Sequence, residues 1–302
     1  MIDVPPVFAA ATVAREGEPG RAWIERLPGL AERYLRQWNC SPDGRVTSGA
    51  VGVIIPVRSG HGPAVLKISF THPGNVDEPR ALRLWQGDGA VRLYEHAAED
   101  FAMLLERVRS RSLDLPVDEA MQVGGDLLRR LAVPAPEDMP TLASQAVLWE
   151  EQLLDQDRRA GHPLPDRLLG AARETIRDLA QDRTQTMLHG DLHAGNILAS
   201  ARGWLVIDPK GVAGNPAQDA ATMMLYRHQE ALHAPDIRAE LDRRLSIFCA
   251  ASGADPEWSR RLIQARFVSG LLWDRLHDDR GTDPKEDLRA VVAELLLDRT
   301  PR

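Results

Sequence analysis

The chain changes periodicity once, and that change limits the folds open to it. Residues 49–57, 64–70, 90–94 and 101–108 are short apolar or alternating runs bounded by turns and read as strands. A single helical segment, residues 76–85, lies between the second and third. From Leu113 onward apolar residues recur at helical spacing, over residues 118–131, 141–156, 166–180 and 258–277. One short hairpin, within residues 186–208, interrupts them. Strands followed by helices predict an α+β protein with a β-rich N-terminal lobe, residues 1–108, and a larger α-helical C-terminal lobe, residues 109–302. Ahead of the sheet, Trp23, Ile24, Leu27, Leu30, Tyr34, Leu35 and Trp38 lie at helical spacing and predict two short amphipathic helices broken at Pro28 and Gly29. A ligand is expected in the cleft between the lobes.

Charge and cysteine content exclude several classes. The 302 residues carry a formal net charge of −7, which argues against a general nucleic-acid binder because phosphate backbones select basic surfaces. The charge is uneven: the first 100 residues sum to −1 and the remainder to −6, so the helical lobe suits a cationic partner. No apolar run approaches the roughly 18–20 residues a membrane span needs, and the N-terminus has no basic segment of the kind that opens a secretory signal. Cys40 and Cys249 show no metal-ligand spacing and read as reduced thiols. The expectation is a cytoplasmic monomer with no nucleic-acid or membrane partner.

The chemistry concentrates in His189-Gly-Asp-Leu-His-Ala-Gly-Asn196 and, a hairpin later, Val206-Ile-Asp-Pro-Lys-Gly211. A hairpin starting at Asn196 and ending at Asp208 sets these two side by side. With Asp191 they present oxygen-bearing side chains to one region. Hard oxygen ligands of this kind suit Mg²⁺ on nucleotide phosphates. Asp191, on the loop, is placed to accept a proton from a substrate hydroxyl. A loop Asp as base with an Asn and a second Asp for metal is the layout of kinase-type phosphoryl transfer. One alternative is a zinc site from His189, Asp191 and His193, which leaves Asn196 and Asp208 unused.

Lysine is scarce: only Lys67, Lys210 and Lys285 stand among 37 basic residues. Lys67 lies within a predicted strand, where a kinase needs a lysine for the α- and β-phosphates of ATP. Glu78 opens the helical segment and is its expected partner, with Glu95 the competitor. Lys210, just after Asp208, either touches a phosphate or pairs with a carboxylate. The end of the strand at Glu106 to Val108 offers backbone groups to an adenine edge. The turn between the first two strands lacks a Gly-rich phosphate loop; Ser48 and Gly49 either contact phosphates there or form a plain hairpin.

These segments, together with Ala64-Val-Leu-Lys67, Ala81-Leu-Arg-Leu-Trp-Gln-Gly87 and Gly89-Ala-Val-Arg-Leu93, resemble the aminoglycoside/hydroxyurea antibiotic-resistance kinases, to which the streptomycin 6-kinases belong. The resemblance implies a protein-kinase-like two-lobed fold and ATP-dependent phosphorylation of a hydroxyl on a small antibiotic. It implies Asp191 as base, Asn196 and Asp208 as Mg²⁺ ligands and Lys67 as the phosphate lysine. Asp219 is implied as a brace for the catalytic loop. For a cationic acceptor, the acidic candidates are Asp274, Glu150 and Asp155, with Glu151, Asp157, Asp278 and Asp279 behind them. Two further readings stand beside this one: a kinase of the same fold acting on hydroxyurea or another alcohol, and a non-catalytic nucleotide-binding protein on a kinase scaffold.

Overall fold

An alternating sheet needs a second layer on which to bury its apolar face. In the structure, a computed structural model that describes residues 2–109, 111–277 and 288–297, a long N-terminal helix supplies it. Helix α1 (Pro6–Gln37) turns Phe8, Trp23, Leu27, Leu30, Ala31 and Tyr34 into one apolar cluster with Val53, Ile55, Val57, Leu66, Ile68 and Leu104. The helix breaks at Gly17 (φ 65°, ψ −140°), not at the predicted Pro28–Gly29. Only glycine adopts that conformation readily. Pro28 forfeits one backbone hydrogen bond, but its neighbours Leu27, Leu30 and Ala31 are buried and hold the helix in register.

The short strands β1 (Ser41–Pro42) and β2 (Thr47–Ser48) both pair with β3 (Gly52–Ser59), and β3 pairs with β4 (Gly62–Ser69). After α2 (Glu78–Trp85) come β5 (Leu93–Ala97) and β6 (Ala102–Glu106). The antiparallel sheet runs β1-β3-β4-β6-β5, with β2 off that path. The third predicted strand sits three residues late, because residues 86–92 form a turn with left-handed Gln86, Gly87 and Gly89. Tyr34 fastens α1 to the β5–β6 turn: its hydroxyl donates to Asp100 Oδ2 at 2.7 Å.

The chain divides into two units, residues 1–110 and 111–302. The second holds α3 (Val117–Leu131), α4 (Leu142–Arg159), α5 (Asp166–Gln181), β7 (Thr186–Leu188), β8 (Ile197–Ser200), β9 (Gly203–Val206) and β10 (Val212–Gly214). Then follow α6 (Ala220–Met223), α7 (His228–Leu232), α8 (Ile237–Ser252), α9 (Pro256–His277) and α10 (Leu288–Leu297). The expected single hairpin is two ribbons: β8 pairs with β9, and β7 pairs with β10 beyond the predicted region. Helices α3 and α8 approach closely at Gly125, where an added Cβ would lie 2.7 Å from the carbonyl oxygen of Phe248. Both cysteines are free thiols. Among the described residues no helix is long and apolar enough to cross a membrane.

Candidate active site

In the first unit, β4 is buried on both faces, so a lysine there is costly unless paired. Lys67 is paired: its Nζ donates to both carboxylate oxygens of Glu78, at 2.7 and 2.8 Å. Glu78 stands in the first turn of α2, where the helix dipole favours a carboxylate, and is 1% exposed. Glu95 is exposed on β5 and takes no part in this pair. Ser48 is exposed on β2 opposite Val53, and the turn after it closes with Gly49 N–H on the carbonyl of Gly52. Glu106 ends β6, and its amide and carboxylate both bond to the backbone of Arg92. Val108 lies two residues beyond, half-buried.

In the second unit the loop after β7 is held by its own backbone. His189 is fully buried; Nε2 meets the carbonyl of Ile207 at 2.8 Å, and Nδ1 accepts from the amide of Asp191 at 3.2 Å. That pattern is the neutral imidazole with its proton on Nε2. Burial, first of all, pushes the pKa of His189 down to about 4. Asp219 grips the same loop from below, accepting from the amides of His189 and Gly190, both at 2.9 Å. Burial pushes its carboxyl up to about 7 against the pull of those two amides and of Arg266. Gly190 has φ 79°, and a Cβ there would lie 3.0 Å from Cβ of Lys210, so the sharp turn that presents Asp191 requires glycine.

Asp191 emerges from this frame partly exposed, with Lys210 Nζ 3.4 Å from its Oδ2. Asn196 ends a one-turn 3₁₀ helix, and its Nδ2 donates to the backbone carbonyl of Asp191 at 3.0 Å. Its own carbonyl accepts from Ile207 N–H at 3.0 Å, which sets Asn196 beside Asp208. Asp208 holds a left-handed φ of 57°, a conformation Asp tolerates better than most residues. The spatial grouping of Asp191, Asn196 and Asp208 is thus formed by hydrogen bonds the sequence could not name.

The zinc alternative does not fit. Both ring nitrogens of His189 are engaged, and His193 Nδ1 accepts from Gly195 N–H. Among the described residues no group of three His, Cys, Asp or Glu could hold a metal. Mg²⁺ fits better: it takes oxygen ligands, needs only one or two carboxylates from protein, and completes its shell with phosphates and water. Asn196 spends its Nδ2 on the loop and leaves Oδ1, and Asp208 supplies the carboxylate.

Three of the acidic acceptor candidates, Glu150, Asp155 and Asp274, pair with arginines. Glu150 accepts from Arg173 and Arg177, and Arg177 in particular holds its carboxyl below the usual range. Asp155 pairs with Arg158 and Arg159, and Asp274 with Arg289. Asp157 is buried against His162, and Glu151 is exposed. Asp278, Asp279 and Lys285 lie outside the described residues. What sequence reasoning missed is Arg266 of α9, whose guanidinium lies over the ring of Trp149 at 5.5 Å. Its side chain is exposed, and the carboxylates of Asp191 and Asp219 favour its charge. It also missed Thr222, whose hydroxyl donates to the carbonyl of Leu192 at 2.5 Å. Neither carries a local motif that would have found it.

A family model described as aminoglycoside/hydroxyurea antibiotic resistance kinase matches residues 37–277. The streptomycin 6-kinase of Streptomyces glaucescens is 32% identical over 290 residues, 94% of each chain. The hydroxyurea phosphotransferase of Kitasatospora aureofaciens is 30% identical, over 99% of this chain and 87% of its own. A solved aminoglycoside phosphotransferase in ternary complex with ADP and hygromycin B is 13% identical and superposes with a TM-score of 0.56, covering 87% of this chain and 97% of that one. That likeness carries the protein-kinase-like fold, a small antiparallel-sheet unit followed by a helical one. With the match running through both units and over every motif described above, the chain belongs to the aminoglycoside/hydroxyurea antibiotic resistance kinase family.

Proposed function

We propose that this protein transfers the γ-phosphoryl group of ATP to a hydroxyl of a small antibiotic, an aminoglycoside of the streptomycin type. The carrying observation is the loop in which Asp219, His189 and Asn196 together hold Asp191 forward beside Asp208. Asp191 orients the acceptor hydroxyl and takes its proton as the new P–O bond forms, and the γ-phosphorus leaves ADP in line. Lys67, fixed by Glu78, meets the α- and β-phosphates, and Lys210 balances charge at Asp191. Mg²⁺, held by Asn196 and Asp208, would neutralise charge on the phosphates. The adenine edge is assigned to the backbone of Glu106 and Val108, and Ser48 to the phosphates. The site acts within a monomer in the cytoplasm.

The test is transfer of label from [γ-³²P]ATP to streptomycin with and without Mg²⁺. Asp191→Asn is expected to lose about 10²–10⁴ in kcat; an unchanged kcat would sink the reading. A second acceptor is hydroxyurea, favoured by the relative whose match spans nearly the whole chain. Nucleotide binding with no transfer to any acceptor would mark a binding protein instead.

A further inference from the structure

The turn between β2 and β3, residues 49–51, has few fixings of its own. Ser48, Gly49 and Ala50 are exposed. Its flanks are held by Gly49 N–H on the carbonyl of Gly52, at 2.9 Å, and by Phe70 N–H on the carbonyl of Val51, at 2.8 Å. The amides of Ala50 and Val51 have no hydrogen-bond partner among the described residues. The tip is fastened from outside the sheet. Arg15 of α1, 35 residues earlier, donates from Nη1 to the carbonyl of Ala50 at 3.1 Å.

Arg15 reaches the turn because α1 is bent. The break at Gly17 ends a first segment, residues 6–16, and Gly20 lets the second segment lie against it. An added Cβ at Gly20 would stand 2.9 Å from the carbonyl oxygen of Thr12. Phe8 of the first segment meets Trp23 edge-on at 6.0 Å, and Trp23 meets Phe70 edge-on at 5.7 Å. Phe70 is the residue whose amide bonds to Val51. The first segment therefore bears on the turn twice, through Arg15 and through this aromatic chain. Glu16 accepts from Arg15 Nε at 2.6 Å and fixes the guanidinium. All of α1 but its last residue precedes the stretch matched to the family, so no shared motif announces this contact.

The faces of the sheet give the contact its meaning. Helix α1 covers the face that carries Val53, Ile55, Leu66 and Ile68. Lys67 alternates with Leu66 and Ile68 and belongs to the opposite face. In a trans peptide the carbonyl and the following N–H point in opposite directions. With the carbonyl of Ala50 turned to Arg15, the N–H of Val51 is turned away from α1, toward the Lys67 face. Backbone amides gathered in a turn are phosphate donors. A Gly-rich loop presents them through bare backbone; here an arginine sets the peptide.

Resting on the proposed function, we infer that Arg15 is a positioning residue for the nucleotide: it orients the Ala50–Val51 peptide so that the amide of Val51 donates to a phosphate oxygen of ATP. Arg15 acts through that peptide and does not itself touch the nucleotide.

The experiment titrates Mg-ATP and adenosine by calorimetry into the full chain and into Arg15→Met and Arg15→Lys, and follows the Val51 amide by NMR in ¹⁵N-valine-labelled protein. Mg-ATP should bind about twofold to tenfold more weakly to Arg15→Met, the range of one hydrogen bond. Adenosine, which carries no phosphate, should bind as before. Arg15→Lys keeps a donor and should recover most of the loss. With streptomycin as acceptor, KM for ATP should rise in Arg15→Met by more than kcat falls. The Val51 amide should shift on addition of Mg-ADP in the wild type and shift less in Arg15→Met. Unchanged Mg-ATP affinity in Arg15→Met, an equal loss for adenosine, or a Val51 amide that Mg-ADP leaves unmoved overturns the assignment. Wild-type protein that binds no Mg-ATP overturns the kinase reading and this assignment together. The expected binding pattern without transfer to any acceptor defeats the kinase reading alone and leaves the role of Arg15 standing.

Discussion

His189 and Asp219 touch through one backbone amide and are shifted in opposite senses, which makes their titrations a sharp reporter of the loop. At pH 5 the unfolded chain protonates His189, whose ordinary pKa is 6.5, while the folded chain, at about 4, does not. Stability from that residue is fully present above pH 6.5 and lost as pH falls toward 4. Asp219 does the reverse: folded it holds its proton up to about 7, unfolded it releases it at 3.8, so its contribution falls as pH rises across that window. The two slopes, each about 1.4 kcal/mol per pH unit, oppose each other between roughly pH 4 and 6.5. Urea midpoints across this range should stay nearly level in the wild type. Asp219→Asn should make stability fall with acid, and His189→Gln should make it rise. Parallel profiles in all three proteins would contradict this account. The sequence, through the family resemblance, implied Asp219 as a brace for the catalytic loop. It was silent on Arg266 and Thr222, since tertiary packing of α9 and α6 brings them to the loop from 75 and 31 residues away.

At the scale of elements, the consequential joint is between β4 and α2. Lys67 and Glu78 are both nearly excluded from water, so removing one strands the other. Lys67→Ala should cost about 3–5 kcal/mol in chemical denaturation as well as weaken ATP binding. A variant of unchanged stability would mean that Glu78 finds water. The turn that presents Asp191 makes a second case. Gly190→Ala should cut turnover, because the left-handed backbone and Lys210 both resist a Cβ, and should cost about 1–2 kcal/mol. Circular dichroism melts alongside kinetics separate the two effects. Strand and helix identities were readable from alternation and period, but their ends were not. The late start of β5 depends on left-handed turn residues, and the unbroken passage of α1 through Pro28 depends on the apolar cluster beneath it. The β7–β10 ribbon escaped because its three-residue strands, 23 residues apart at their nearest ends, carry no alternation long enough to read.

For the molecule as a whole, Mg-ATP should act as a folding ligand. At one hundred times its Kd it adds about 2.7 kcal/mol, a rise of several degrees in Tm. Lys67→Arg keeps the charge beside Glu78 and should melt near the wild type, yet gain less from nucleotide, because a guanidinium fork does not fit where an ammonium reached. Equal nucleotide shifts in both proteins would remove Lys67 from the phosphate site. Reductant should leave Tm unchanged, since Cys40 and Cys249 are free thiols. The excess acidity of the second unit was legible from composition, but the arginine partners of its carboxylates were not. Glu150, Asp155 and Asp274 are counterions for arginines that the sequence places 3 to 27 residues away. The scarcity of lysine has a practical consequence for labelling chemistry. An amine-reactive reagent meets only three side chains, and of these Lys67 is sequestered by Glu78 while Lys210 stands beside Asp191. Acylation followed by peptide mapping, with and without Mg-ATP, would therefore footprint the proposed phosphate lysine and the neighbour of Asp191 against an almost silent background.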